Sequence, residues 1–175
     1  MSFSHFPMKI KTHLLPVLAV TTAALLTCCG KTETQTESKS APAPAWNPAD
    51  GRLIEITGDD AMKYNLTEIR ATPGEKLVIS LKNIGRIPKP AMAHNWVLLK
   101  PMDDAGVMAF SMSAAARPPE HLPAEMSAVL AHTKMVGNGE TDMVKVTAPS
   151  APGEHPYVCT FPGHFMLMKG KMIVK

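Results

Sequence analysis

The chain has 175 residues, a length that suits one domain with short appendages. Its 18 basic and 15 acidic residues give a formal charge of +3, and no run of Lys or Arg alternates with aromatic residues, which argues against a nucleic-acid-binding protein. Three cysteines, two of them adjacent, do not form a disulfide framework.

Residues 1–29 have the pattern of an export signal. Two lysines precede an apolar stretch at residues 14–26, which is too short to span a bilayer. Thr27, Cys28 and Cys29 follow this stretch, which resembles bacterial lipoprotein signals, where a cysteine becomes the lipidated first residue. We predict an anchor on Cys29, with Cys28 as the second candidate. A cleaved signal of a soluble exported protein is the alternative.

Residues 30–49 are predicted to form a linker. They are rich in Lys, Thr, Ser, Glu, Ala and Pro and have no hydrophobic periodicity. The Ala-Pro repeat at residues 41–45 favours an extended backbone. The folded domain is therefore expected at residues 50–175.

Short β-rich segments separated by turn signals follow in that domain. Such a pattern is typical of an all-β Greek-key β-sandwich. The predicted strands lie at residues 52–57, 76–82, 94–99, 142–147, 155–160 and 171–175.

Residues 102–131 interrupt this pattern with Ala-rich and Met-rich sequence. We predict a short helix at residues 123–131, with Pro123 in its first turn. The whole segment is interpreted as a helical flap inserted between strands.

A metal-ligand set lies near the C-terminus. Cys159, His164 and Met168 occur within ten residues around a Pro-Gly turn, and His94 lies upstream at a predicted strand. Two imidazoles, a thiolate and a thioether form the ligand set of a trigonal copper site with a weak axial Met. Zinc is the chemical alternative, because a Cys/His/His site can bind it.

Taken singly, each of these residues has a structural explanation. A lone Cys is often a buried thiol, and Met often fills cores. Joint occurrence at this spacing favours the metal site. Of the remaining domain histidines, His121 and His155 are predicted to lie on the solvated surface, because their segments have the character of loops or strand edges.

The sequence resembles the azurin family of cupredoxins over most of residues 52–175. The resemblance is carried by Cys-Thr-Phe-Pro-Gly-His at 159–164, by Leu-Met-Lys-Gly at 167–170 and by His-Asn-Trp-Val-Leu at 94–98. Membrane-anchored auracyanins of the same superfamily are similar as well. The resemblance implies an eight-stranded sandwich with one copper ion at one pole.

It also implies the role of each ligand. The equatorial ligands would be His94, Cys159 and His164, and Met168 would be axial. The backbone carbonyl of Ala93 would be a further weak axial contact, although the family has Gly at that place.

Around the ligands, the resemblance implies that Asn95 ties the two ligand loops together. The backbone N–H groups of Asn95 and Phe161 would hydrogen bond to the thiolate sulfur. Asn83 occupies the place where some azurins have a titrating His, so we expect no pH switch there. Strand alternation separates Trp96 from Asn95 and predicts that Trp96 lies in the core.

His164 is expected to expose one imidazole edge within an apolar docking patch. Met92, Phe161 and Pro162 are the main candidates for this patch, which also includes Met62, Phe165 and Met166. Small apolar patches of this kind suit weak electron-transfer encounters. Redox proteins such as a cytochrome c or a membrane complex are the expected partners.

The sequence thus predicts a periplasmic, membrane-tethered blue-copper electron carrier that is not an enzyme. A copper carrier or storage protein is the alternative, because the flap is rich in Met. A multi-copper reductase or oxidase is disfavoured, since the chain has no His-x-His pair.

Overall fold

The computed structural model describes residues 45–175. The predicted export signal, with both candidate lipidation sites, and the predicted linker up to residue 44 lie outside the described residues. The end of the predicted linker contains a 3₁₀ turn at Pro48–Asp50, in which the Ala49 amide donates to Oδ1 of Asn47 at 2.9 Å. Within residues 45–175, no helix is long and apolar enough to cross a membrane.

The described part of the chain forms eight strands and one α-helix. In chain order they are β1 (Arg52–Gly58), β2 (Glu68–Ala71), β3 (Lys76–Asn83), β4 (Val97–Leu99), α1 (Asp104–Ala115), β5 (Val129–His132), β6 (Thr141–Thr147), β7 (Gly153–Val158) and β8 (Lys169–Val174). One sheet has the strand order β1-β3-β6 and the other β2-β8-β7-β4-β5. The pairs β1–β3 and β2–β8 are parallel, and the remaining pairs are antiparallel. The predicted Greek-key β-sandwich is confirmed.

The main core lies between the two sheets. In β3, the central strand of its sheet, Leu77, Ile79 and Leu81 are fully buried and point to one face by alternation. Trp96, directly before β4, and Tyr157 of β7 pack in the same cluster from the opposite side, with ring centroids 5.6 Å apart. The predicted core position of Trp96 is confirmed.

The helix lies between β4 and β5, but earlier in the chain than predicted. It begins after Asp103, whose carboxylate caps the Gly106 amide, and its buried residues are Val107, Ser111 and Ala114. The prediction of a helix at residues 123–131 is wrong. There the chain enters β5, which pairs with β4, and this long-range pairing overrides a weak local helix propensity.

Two histidines that were predicted to be solvated are buried. His121 is 8% exposed and its Nδ1 bonds to the Ala115 carbonyl at 2.8 Å. His155 is 4% exposed, because it lies two residues before Tyr157 in β7 and therefore faces the core from the same side of the strand. His132 is half-buried.

The buried side chain of His155 makes no hydrogen bond in the described structure, since neither ring nitrogen has a partner. The cost of removing it from water is therefore not offset. His155→Leu is therefore expected to raise the free energy of unfolding by about 1 kcal/mol. Urea denaturation of the copper-free protein measures this. The matched change His121→Leu removes a buried imidazole that has a partner and should lower stability instead. A loss of stability in His155→Leu would contradict the prediction.

Candidate metal centre

Three side chains that the sequence singles out as ligands come together at one end of the sandwich. One nitrogen each from His94 and His164 and the sulfur of Cys159 all lie within 4.8 Å of one another. The Cys159 sulfur is 3.6 Å from Nδ1 of His164, and the two imidazole centroids are 5.1 Å apart. All three residues are buried.

Different segments supply these side chains. His94 precedes β4 and forms an isolated bridge with Val136, with N···O distances of 2.9 and 2.7 Å. Cys159 directly follows β7, and its amide donates to the Met168 carbonyl at 2.9 Å. Gly163 has φ of 82°, a conformation that favours glycine, and it leads into the 3₁₀ turn His164–Met166. The loop thus returns to bring His164 towards Cys159.

Gly58, at the end of β1, makes room for Met168 beside His94. A Cβ atom on Gly58 would lie 2.6 Å from Cε of Met168 and 2.7 Å from Cδ2 of His94. The end of the Met168 side chain and the imidazole of His94 therefore border the same point beside Gly58, and Met168 is fully buried. Sequence reasoning missed Gly58, whose only signal is a glycine in the last position of a strand. Ala93 is also buried, and its carbonyl stays a predicted weak ligand.

The buried environment keeps the ligand groups neutral in the metal-free protein. Burial lowers the pKa of His94, and burial together with the neighbouring His94 lowers the pKa of His164 to about 4. Burial raises the pKa of the Cys159 thiol to about 12, although amide hydrogen bonds from Asn95 and Phe161 oppose this rise. The imidazoles therefore present free lone pairs, and the thiol loses its proton when a cation binds.

Asn95 links the two ligand loops, in the arrangement that the resemblance implies. Its side-chain Nδ2 donates to Oγ1 of Thr160 at 2.8 Å, and its Oδ1 accepts from the Thr160 amide at 2.8 Å. The Thr160 hydroxyl in turn donates to the backbone carbonyl of His121. Sequence reasoning missed Thr160 and His121, which join the chain after α1 to the loop of Cys159.

Asn83 holds the loop that precedes His94. Its buried side-chain amide donates to the carbonyls of Met92, at 3.2 Å, and of Val136, at 3.3 Å. Its Oδ1 accepts from the Gly85 amide at 2.9 Å. An uncharged side chain thus occupies the place where some relatives are expected to have a titrating His.

The surface over the centre differs in part from the predicted docking patch. Pro162 and Met166 are exposed, whereas Met62, Met92, Phe161 and Phe165 are half-buried. His164 is only 3% exposed, so the expectation of an exposed imidazole edge is wrong. The reason is that the Phe161 ring packs against it, with centroids 4.7 Å apart.

Two further exposed apolar side chains lie at this end of the sandwich. Leu167 is 59% exposed in the loop of the ligands, and Ile84 is 54% exposed directly after β3. The Ile84 amide donates to the Gly58 carbonyl at 2.8 Å, which places it beside the centre.

The donor set fits copper. Among the described residues neither ring nitrogen of His94 has a hydrogen-bond partner at ordinary distance, although the Asp59 backbone is near enough to oppose the lowering of the imidazole pKa by burial, so at least one nitrogen is free to bind a metal. A soft thiol and a buried thioether complete the set, and both favour copper over harder cations.

Comparisons with known proteins agree with this chemistry. The family of copper binding proteins described as plastocyanin/azurin matches residues 52–175. An azurin of Achromobacter denitrificans is 40% identical over 120 residues, which cover 67% of this chain and 80% of the relative. Auracyanin A, a "blue" copper protein of Chloroflexus aurantiacus, superposes with a TM-score of 0.64 at 32% identity, covering 70% of this chain and 98% of the other. A reduced auracyanin of Roseiflexus castenholzii gives a TM-score of 0.63 at 32% identity, over 70% and 96% of the two chains.

Proposed function

Because this chain belongs to the plastocyanin/azurin family of copper-binding proteins, we propose that it is an electron carrier with one copper ion bound by His94, Cys159, His164 and Met168. When bound, copper supplies a one-electron couple between Cu(I) and Cu(II). The observation that carries the proposal is the buried cluster of two neutral imidazoles and a thiol within 4.8 Å.

The residues around the ligands suit electron transfer because they hold the ligands still. Asn95 and Thr160 tie the two ligand loops together, and Asn83 fixes the loop before His94. Two amide N–H groups stabilise negative charge on the Cys159 sulfur, which favours the reduced metal. A buried, preset ligand geometry needs little rearrangement when an electron arrives.

We infer that electrons enter and leave through His164 and the apolar surface above it. Four apolar residues are exposed at this end of the domain, Pro162, Met166, Leu167 and Ile84, and Met92 and Phe161 are half-buried. Exposed apolar patches of this kind mark contact surfaces, and flexible Met side chains suit weak, varied partners. Redox proteins such as a cytochrome c or a membrane complex fit this surface.

We also infer that the protein works in the periplasm, tethered through a lipidated Cys29 or Cys28. The support is the sequence of residues 1–29 and the linker character of residues 30–49. Twenty linker residues reach about 70 Å at most when extended, so the domain would stay near the membrane. The mass of the mature N-terminal peptide tests this, and an unmodified peptide that begins elsewhere would refute the tether.

Copper carriage is the second candidate, and one observation favours it. Met108 and Met112 lie one helical turn apart on α1 and are 38% and 60% exposed. Exposed thioether groups suit weak, exchangeable binding of Cu(I). The enclosed centre favours the electron carrier, because metal exchange needs an accessible site.

Copper titration of the purified protein separates the two candidates. We expect one bound copper per chain, an intense visible thiolate-to-copper absorption and a reversible one-electron couple. A matched sample with Met108 and Met112 both changed to Leu should keep all three properties. A colourless protein that yields its copper quickly to a chelator would contradict the electron carrier.

A further inference from the structure

Tyr64 is a buried tyrosine in the loop between β1 and β2, beside the candidate metal centre. It pairs with Gly58 in an isolated antiparallel bridge, so its position is tied to the strand end that contacts the ligands. The Asp59 carboxylate fixes the turn between them, because it accepts from the amides of Ala61 at 3.0 Å and Lys63 at 3.2 Å. These hydrogen bonds fix the conformation of the loop and thereby the position of the Tyr64 ring in the core.

The Tyr64 hydroxyl group reaches the first ligand loop. It donates to the backbone carbonyl of Asn95, and the ring packs edge-on against Tyr157 with centroids 5.8 Å apart. Tyr64 is 6% exposed. Burial, with a further effect of the nearby Cys159, raises the pKa of Tyr64, so the hydroxyl keeps its proton and acts as a donor.

Asn95 is thus held by hydrogen bonds at three of its groups, the backbone N–H, the side-chain amide and the backbone carbonyl. Its N–H bonds to the Cys159 sulfur, its side chain bonds to Thr160, and its carbonyl bonds to Tyr64. We propose that Tyr64 is a positioning residue of the copper site, which holds Asn95 so that its N–H stays directed at the Cys159 sulfur. This inference rests on the proposed function, since its effect appears in the copper couple.

Loss of the Tyr64 hydroxyl would leave the Asn95 carbonyl buried without this partner. Asn95 would then be free to shift towards another donor, and its N–H bond to the Cys159 sulfur would lengthen. Because hydrogen bonds to the sulfur favour the reduced metal, a weaker bond lowers the reduction potential.

The test compares Tyr64→Phe with Tyr157→Phe. The two changes are matched, because Tyr157 is also buried and its hydroxyl donates to a backbone carbonyl, that of Leu66, at 2.8 Å. In Tyr64→Phe we expect the Cu(II)/Cu(I) equilibrium to move roughly threefold to tenfold towards Cu(II), the size of one ordinary hydrogen bond. The visible charge-transfer band should move to longer wavelength. Tyr157→Phe should lose similar stability and leave the potential and the band unchanged.

Two results would overturn the proposal. In one, Tyr64→Phe keeps the potential and band of the unchanged protein. In the other, both variants shift equally, which would indicate general loosening of the core rather than a role of Tyr64 towards Asn95.

Amide hydrogen exchange in the copper-free protein tests the same contact without the metal. The Asn95 N–H should exchange at least about threefold faster in Tyr64→Phe than in Tyr157→Phe, and equal rates would refute the proposal. If the unchanged protein binds copper without an intense band or a reversible couple, the proposed function fails. The exchange rates would still decide the role of Tyr64.

A third measurement strengthens the hydrogen bond instead of removing it. The chain has two tyrosines, so in Tyr157→Phe the only one left is Tyr64. Biosynthetic incorporation of 3-fluorotyrosine into that variant makes the remaining hydroxyl a stronger donor and keeps the fold. We expect the potential to rise, and a potential that is unchanged or lower would contradict the inference.

Discussion

Replacing Cys159 by Ser is expected to abolish the visible absorption and the reversible one-electron couple of the copper-loaded protein. The absorption requires a thiolate bound to Cu(II), and a serine hydroxyl neither ionises readily nor donates charge as sulfur does. The copper-free variant should still fold, because the hydroxyl can accept from the amides of Asn95 and Phe161 that bond to the sulfur. We expect it to lose about 1 kcal/mol of unfolding free energy.

A double change of Cys28 and Cys29 to Ser is the matched control for this experiment. It removes the other two cysteines of the chain, which are the proposed anchor sites, and in protein produced without export it should leave colour, couple and copper stoichiometry unchanged. Absorption spectra and voltammetry of both proteins give the comparison. A blue Cys159→Ser protein, or a colourless double variant, would show that the metal is bound elsewhere.

Residues of the metal centre that lie close together in the sequence are easier to predict than residues that meet only through the fold. Cys159, His164 and Met168 lie on one loop, so their spacing alone predicts that they meet. His94 lies 65 positions before Cys159, and its pairing with that loop was inferred from ligand chemistry and from a family resemblance. The structure adds the short strands β2 and β5, four residues each, which have too few residues for a clear alternation.

The contacts that sequence reasoning missed all depend on long-range packing. Tyr64 reaches Asn95 across 31 positions, and Thr160 reaches His121 across 39. No local pattern marks such a residue, because its role is set by the loop that the fold places beside it. The burial of His155 was missed for a related reason, since a polar residue in a core-facing strand position contradicts the usual distribution.

Gly58 is the residue outside the ligand set whose substitution we expect to disturb the metal centre most. In Gly58→Ala the new methyl group would overlap Cε of Met168 and the ring of His94, at 2.6 and 2.7 Å. The flexible end of Met168 can move away, whereas the backbone of His94 is held by the bridge to Val136 and its ring is fully buried. We therefore expect displacement of the axial thioether, a changed visible spectrum and a copper affinity about 10- to 100-fold lower. Overpacking should also cost about 1–3 kcal/mol of stability.

Gly170→Ala separates the effect on the metal from the effect on packing. A Cβ atom there would lie 2.5 Å from the Tyr157 ring and 2.6 Å from the Thr67 carbonyl, a clash of equal size on the β7–β8 pair. This variant should lose as much stability as Gly58→Ala or more, because a backbone atom cannot move aside, yet its copper spectrum should not change. Copper titration gives the copper spectrum of both variants, and denaturation gives their stability. Equal spectra in the two would mean that Met168 and His94 do not need the space that Gly58 leaves, and Met168 would then lose its assignment as a ligand.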